Sequence, residues 1–306
     1  MVIILLLAWA VFTIVTSLTV GPMEGQTLLF GTLTSFWTEH PVNAKVVAIA
    51  LLLLETILLA LFYANNRFAE TRTYMPVVFF LLLMNLGGFL KMLTPAYITT
   101  FFITLIILNT LDDNDKPVKN RVFASGLLIG ICSLLDPSSL GLLLFLLLAL
   151  ITHRFSKSKE IIILFFALLF VYAYVVCFFF FTDNMAGLTA SLKTLSFFGV
   201  VKSLKTLTLY DYLFLGFATL FAVYLIIQLK LLFDNKLIVL RKRLVNIHFL
   251  LFAVVGMLLI SGLQLQQGLV YIAIPISLYF SMITQQKTRI ILHDILIIAF
   301  YVLLWL

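Results

Sequence analysis

Residues 44–64 read AKVVAIALLLLETILLALFYA, and residues 160–181 read EIIILFFALLFVYAYVVCFFFF. Each run is long enough for a helix to cross a bilayer, which takes about 20 residues. Neither alternates polar with apolar positions, so neither reads as a strand of a membrane barrel. In hydrocarbon every backbone polar group must be satisfied within the protein, and a continuous apolar run does that as a helix.

The rest of the chain follows these two runs. Hydrophobic residues make up 63% of the 306 positions, charged residues 11%, and the mean hydropathy is +1.18. A soluble domain is about 45–50% apolar and about 25% charged, so this chain lacks the polar surface to cover a water-soluble globule. The apolar runs fall at about 2–20, 44–64, 76–90, 95–110, 122–135, 139–152, 160–181, 211–232, 246–262, 269–283 and 290–306. The expected fold is an all-α, polytopic transmembrane bundle of about eleven spans, forming a single domain over 1–306. The third to sixth runs are shorter than a full crossing. Residues 2–20 read as a retained span rather than a signal peptide, because no basic n-region or small-x-small cleavage site accompanies them.

Charge sets the orientation. Of the 20 Lys and Arg, fifteen lie in the even-numbered loops: Arg67, Arg72, Lys116, Lys119, Arg121, Arg154, Lys157, Lys159, Lys230, Lys236, Arg241, Lys242, Arg243, Lys287 and Arg289. The odd loops carry Lys45, Lys91, Lys193, Lys202 and Lys205. The positive-inside rule then puts the even loops and the N-terminus in the cytoplasm and the C-terminus outside. The net charge of +7 is accounted for by these loops, so nucleic acid is not expected as a partner. Membrane lipids are expected, and the sequence points to no particular protein partner.

Two outer loops, about 21–43 and 183–210, are long enough for short amphipathic helices at the surface. The second repeats Ser-Leu-Lys-Thr-Leu at 191–195 and 203–207. This is either chance in a low-diversity segment or a basic ledge for lipid head groups.

Ionisable groups inside spans mark candidate function. Glu55 sits mid-run, either as a proton or ion site or as a neutral carboxyl hydrogen-bonded to a neighbouring helix. His248, His293 and Asp294 lie near cytoplasmic span ends, where snorkelling accounts for them. Outer carboxylates Glu24, Glu39, Asp136, Asp183 and Asp211 could act as a general base on a hydroxyl, or serve as loop charges and caps. Asp136-Pro137-Ser138-Ser139 is a helix-start signature. Pro275 could kink the tenth span. The four His are scattered, no metal motif is present, and no cofactor is expected. No Walker loop, GxGxxG or GxSxG occurs. Cys132 and Cys177 both lie inside apolar runs without a CxxC partner.

One stretch carries a resemblance. Thr-Pro-Ala-Tyr at 94–97 is followed by an apolar span and a charged loop. Phe-Ala-Ser-Gly-Leu-Leu-Ile-Gly-Ile-Cys-Ser-Leu-Leu-Asp-Pro then fills 123–137, and His-Arg-Phe-Ser-Lys-Ser-Lys-Glu fills 153–160 after a Leu-rich span. This resembles the middle of type C membrane glycosyltransferases, which use polyprenyl-phosphate-linked sugars. Small-xxx-small spacing at Gly126 and Gly130 also has a plain packing explanation. The resemblance implies a long first outer loop bearing the catalytic carboxylate and a second functional loop after the seventh span. Glu24 would then be the base, with Asp136 or Asp183 assisting, while Lys193, Lys202 and Lys205 would bind the lipid phosphate. Three departures stand out: members of that class usually show an Asp, often paired with a second acidic residue, where this chain has only Glu24; they usually show a Lys where it has Asp136; and the first outer loop is short. Either the enzyme is divergent or a type C scaffold has lost catalysis. The chain as a whole also resembles a bacterial family of inner-membrane proteins with no assigned activity. Three functions remain open: sugar transfer from a polyprenyl-phosphate donor, a non-catalytic scaffold or subunit of an envelope-assembly complex, and transport centred on Glu55.

Overall fold

A computed structural model of the chain describes residues 2–20, 30–66, 68, 73–111, 118–152, 158–194, 238–260, 269–284, 298 and 302. Over these residues the protein is all-α apart from one two-residue strand pair. The helices are α1 (Val2–Ser17), α2 (Phe30–Glu39), α3 (Pro41–Asn65), α4 (Met75–Leu86), α5 (Pro95–Leu111), α6 (Val118–Leu135) and α7 (Leu142–Thr152). After them come α8 (Ser158–Phe181), α9 (Met185–Thr194), α10 (Ile238–Ile260) and α11 (Ala273–Thr284). The strands β1 (Thr19–Val20) and β2 (Met92–Leu93) pair in parallel, Thr19 opposite Met92 and Val20 opposite Leu93.

Four described helices are long and apolar enough to cross a membrane: Pro41–Asn65, Val118–Leu135, Ser158–Phe181 and Arg241–Ile260. The fifth apolar run thus reaches spanning length, because its helix starts before the apolar stretch, at Val118. The third, fourth and sixth runs stay short. The third ends at Leu86 because Gly87 and Gly88 turn the chain, Gly88 in the left-handed region at φ 66. Glycine takes that conformation without steric cost. A 3-10 turn, Phe89–Lys91, then leads into β2. The sixth run begins as a 3-10 turn at Pro137–Gly141 and the tenth as one at Leu269–Ile272. Pro275 lies in the first turn of α11, where its missing N–H costs no helical bond, so it begins a helix rather than kinking one. Helices also form in both long loops, α2 in the first and α9 in the second; among their described side chains Trp37 and Leu188 are buried.

Named contacts give the helices two common ends. At one end, here the β-pair end, Lys45 Nζ donates to the Val15 carbonyl at 2.6 Å and the Tyr97 hydroxyl to the Ala48 carbonyl at 2.9 Å. At the other, the basic end, Asn109 Nδ2 donates to the Arg121 carbonyl at 2.6 Å, and Arg243 Nη1 to the Asn66 carbonyl at 2.8 Å. Consecutive helices α1, α3, α4, α5, α6, α7 and α8 therefore alternate in direction. Helix α10 runs the same way as α8, and α11 returns antiparallel to it. The runs 211–232 and, apart from residues 298 and 302, 290–306 lie outside the described residues.

Small residues allow the closest approach. Helices α6 and α8 run side by side in parallel, and a Cβ on Gly126 would stand 2.8 Å from that of Ala167. One on Gly130 would meet Val171 at 2.9 Å. One turn further on, the hydroxyls of Ser133 and Tyr172 are 2.7 Å apart. Association between helices in lipid rests on such packing and hydrogen bonds, since lipid tails are as apolar as the side chains. Helix α8 turns its other face outward, with Phe166 62%, Phe170 62% and Tyr174 70% exposed. A lipid-facing helix presents apolar surface in this way, and the protein is accordingly a multi-pass membrane protein.

Candidate functional site: two buried carboxyls beside helix α5

Helix α6 ends at Leu135, and the next residue, Asp136, takes extended geometry as the N-cap of the 3-10 turn 137–141. Pro137 suits the position after a cap because its nitrogen has no proton to satisfy. Asp136 Oδ1 accepts from the Ser138 amide at 3.1 Å and Oδ2 accepts from the Ser138 hydroxyl at 2.6 Å. The Tyr271 hydroxyl also donates to Oδ2. Asp136 is 4% exposed and Tyr271 fully buried. Its carboxyl fastens α6 to the turn before α7 and to the start of α11. Such a group, held by three donors, acts as a cap and a clamp.

The second carboxyl is Glu55 on α3, fully buried against α5. Thr100 Oγ1 lies 3.4 Å from Oε2, and Thr104 Oγ1 lies 3.4 Å from Oε1. The two threonines stand four apart on α5 and so share one face of that helix. Thr99, next to Thr100, lies beside the Tyr271 hydroxyl on another face of α5. Thr99 is itself fully buried.

The other candidate residues among those described do not join either carboxyl. Asp183 is exposed in the turn between α8 and α9 and adopts a left-handed conformation at φ 50. Glu39 is exposed at the end of α2, and His40 packs edge-on against Phe36 at 5.0 Å. Lys193 belongs to α9, with its side chain outside the description. Glu24, Lys202, Lys205, Asp211, His293 and Asp294 lie outside the described residues, as does the second Ser-Leu-Lys-Thr-Leu copy. His248 differs from the snorkelling expectation: its Nδ1 is 2.7 Å from the Leu244 carbonyl, and its ring packs edge-on against buried Tyr279 of α11 at 5.4 Å. Cys132 is buried on α6, whereas Cys177 is exposed on α8. Among the described residues no three His, Cys, Asp or Glu gather to hold a metal ion.

Sequence reasoning missed Tyr271 and the threonines of α5. One signal was available for Tyr271: positive-inside alternation puts loops five and nine on the same side, and Asp136 and Tyr271 flank those loops. For the threonines the signal was three hydroxyls, at 99, 100 and 104, inside an otherwise apolar run.

No protein-family model, curated protein or solved structure matches the chain.

Proposed function

We propose that the chain is a multi-pass protein of the bacterial inner membrane, with eleven spans, its N-terminus in the cytoplasm and its β-pair end outside, and that it serves as a non-catalytic scaffold or subunit of an envelope-assembly complex. The orientation is supported by where the described cations fall. Lys119, Arg121, Lys159, Arg241, Lys242 and Arg243 belong to the basic end, against Lys45, Lys91 and Lys193 at the β-pair end.

The observation that carries the scaffold reading is the state of Asp136. The resemblance casts this carboxylate as an assistant in sugar transfer, and three donors already hold it: the Ser138 amide on Oδ1 and the Ser138 and Tyr271 hydroxyls on Oδ2. A general base needs a free lone pair within hydrogen-bond reach of the hydroxyl it activates. The broad apolar face of α8 supplies contact area for lipid or for a partner's helix.

Mass spectrometry of polyprenyl-phosphate lipids tests this reading, comparing parental cells, cells lacking the protein and cells carrying Glu24→Ala. The expected result is an unchanged set of sugar-linked lipids in all three, with Glu24→Ala restoring whatever envelope defect the deletion causes. Accumulation of one sugar-linked lipid in both altered strains would replace the scaffold with a transferase that uses Glu24.

A further inference from the structure

Helices α6 and α8 begin together at the basic end. Gly126, the ninth residue of α6, meets Ala167, the tenth of α8, and the helices run in parallel, so their first turns stand level. Both are long and apolar enough to cross a membrane, which places those turns at the head-group level of the bilayer.

Seven residues of helix make almost two full turns, so positions seven apart share a face. Lys119 precedes Gly126 by seven, and Glu160 precedes Ala167 by seven. Lys119 and Glu160 therefore open the two stripes along which α6 and α8 pack together. Lys119 is exposed, as is Lys159 next to Glu160. Glu160 is 7% exposed, and its Oε2 has no hydrogen-bond partner.

Both signs of charge here call for a complement. Lysines in a first helical turn stand at the positive end of the macrodipole, the unfavourable sign, beside N–H groups that have no acceptor within the helix. An anion fits such a place. The carboxyl of Glu160 suits the dipole, but one of its oxygens is buried without a donor. Buried polar groups in folded proteins are hydrogen-bonded, and leaving one unmade is costly. The positive-inside bias accounts for lysines at this end and leaves the buried carboxyl unexplained. One ligand meets both demands: a head group that carries a phosphodiester and a primary ammonium a few bonds apart.

We propose that the start of the α6–α8 seam binds the head group of an aminophospholipid. The ammonium donates to Glu160 Oε2, and the phosphodiester accepts from the Lys119 and Lys159 ammonium groups. Phe123, exposed one turn along α6 from Lys119, gives the acyl chains an apolar surface. The site goes beyond the scaffold reading and does not depend on it.

Native mass spectrometry of the full chain, released from detergent with added lipid, tests this. The probes are phosphatidylethanolamine, phosphatidylcholine and phosphatidylglycerol with the same acyl chains. All three carry the phosphodiester, but the choline nitrogen has no N–H to donate and the glycerol head group has no cation. Phosphatidylethanolamine is expected to bind at least about tenfold more tightly than either of the others. Glu160→Gln keeps the side-chain shape and removes the charge, and the preference is expected to disappear. Lys119→Gln combined with Lys159→Gln, both at exposed positions, is expected to weaken binding of all three lipids. Equal binding of the three by the parental protein, or a preference for phosphatidylglycerol, overturns the proposal. So does a phosphatidylethanolamine preference that survives Glu160→Gln, or unchanged phosphatidylethanolamine binding in the double lysine variant. The parental comparison needs no substitution, so it decides even where a variant fails to fold.

Discussion

The hydroxyl of Tyr271 donates to Oδ2 of Asp136 across 135 positions of sequence, with both residues buried at the β-pair end of the bundle. The contact ties the end of α6 to the start of α11, and it converts a helix-capping aspartate into a joint between distant segments. A buried donor that loses its acceptor costs about 1–3 kcal/mol, more than the net worth of the bond. Asp136→Ala strands both the Tyr271 hydroxyl and the Ser138 amide and is predicted to destabilise the protein by about 3 kcal/mol. Tyr271→Phe removes one partner of a pair and is predicted to cost about 1–2 kcal/mol. Thermal unfolding in detergent, run on both single variants and the double variant, checks this. The double variant should fall short of the sum, because residues in contact couple. Full additivity would mean that the two side chains do not interact.

Glycine placement on α6 gives a sharper prediction, since it separates close packing from helix propensity. At Gly126 a Cβ would meet the Ala167 Cβ at 2.8 Å and the Leu164 carbonyl oxygen at 3.1 Å. Backbone cannot step aside cheaply, so Gly126→Ala is predicted to destabilise by about 1–3 kcal/mol. At Gly256 on α10 no described residue lies within 4 Å of the same atom, and Gly256→Ala is predicted to be neutral or stabilising by up to about 1 kcal/mol. Unfolding temperatures of the two variants in one detergent check the pair. A tolerated Gly126→Ala would contradict the α6–α8 approach.

Lys45 reaches from α3 to the Val15 carbonyl at 2.6 Å, near the last turn of α1. That carbonyl is among the last four of its helix and has no partner within it. Lys45→Met keeps the apolar stem and loses the donor; it is predicted to cost about 1 kcal/mol. It should also raise hydrogen exchange over residues 14–20, read by mass spectrometry, with little change in α10.

These contacts divide what the sequence makes legible from what it does not. The helices follow from continuous apolar runs, and α3 and α8 extend only a few residues beyond the runs that announce them. Asp136 as a cap follows from its local signature with Pro137 and Ser138. The β1–β2 pair does not, because two residues of strand leave no periodicity and the partners are 73 apart, as Thr19 and Met92 show. Gly87 and Gly88 shorten α4 inside what reads as one apolar run, and a run of hydropathy carries no information on where the chain turns. The Tyr271–Asp136 joint and the threonine face of α5 depend on which helices become neighbours. One chain read alone shows where the apolar helices fall and leaves neighbours open.

The orientation of the bundle is the claim on which the other assignments rest, and cysteine labelling tests it most directly. In a background with Cys132 and Cys177 replaced, Asp183→Cys and Arg241→Cys are introduced one at a time, both at exposed positions on opposite ends. Intact cells are treated with a maleimide that cannot cross the membrane. The account predicts labelling of Asp183→Cys in intact cells and of Arg241→Cys only after the membrane is opened. Labelling of Arg241→Cys in intact cells, with Asp183→Cys protected, would invert the bundle and contradict the account.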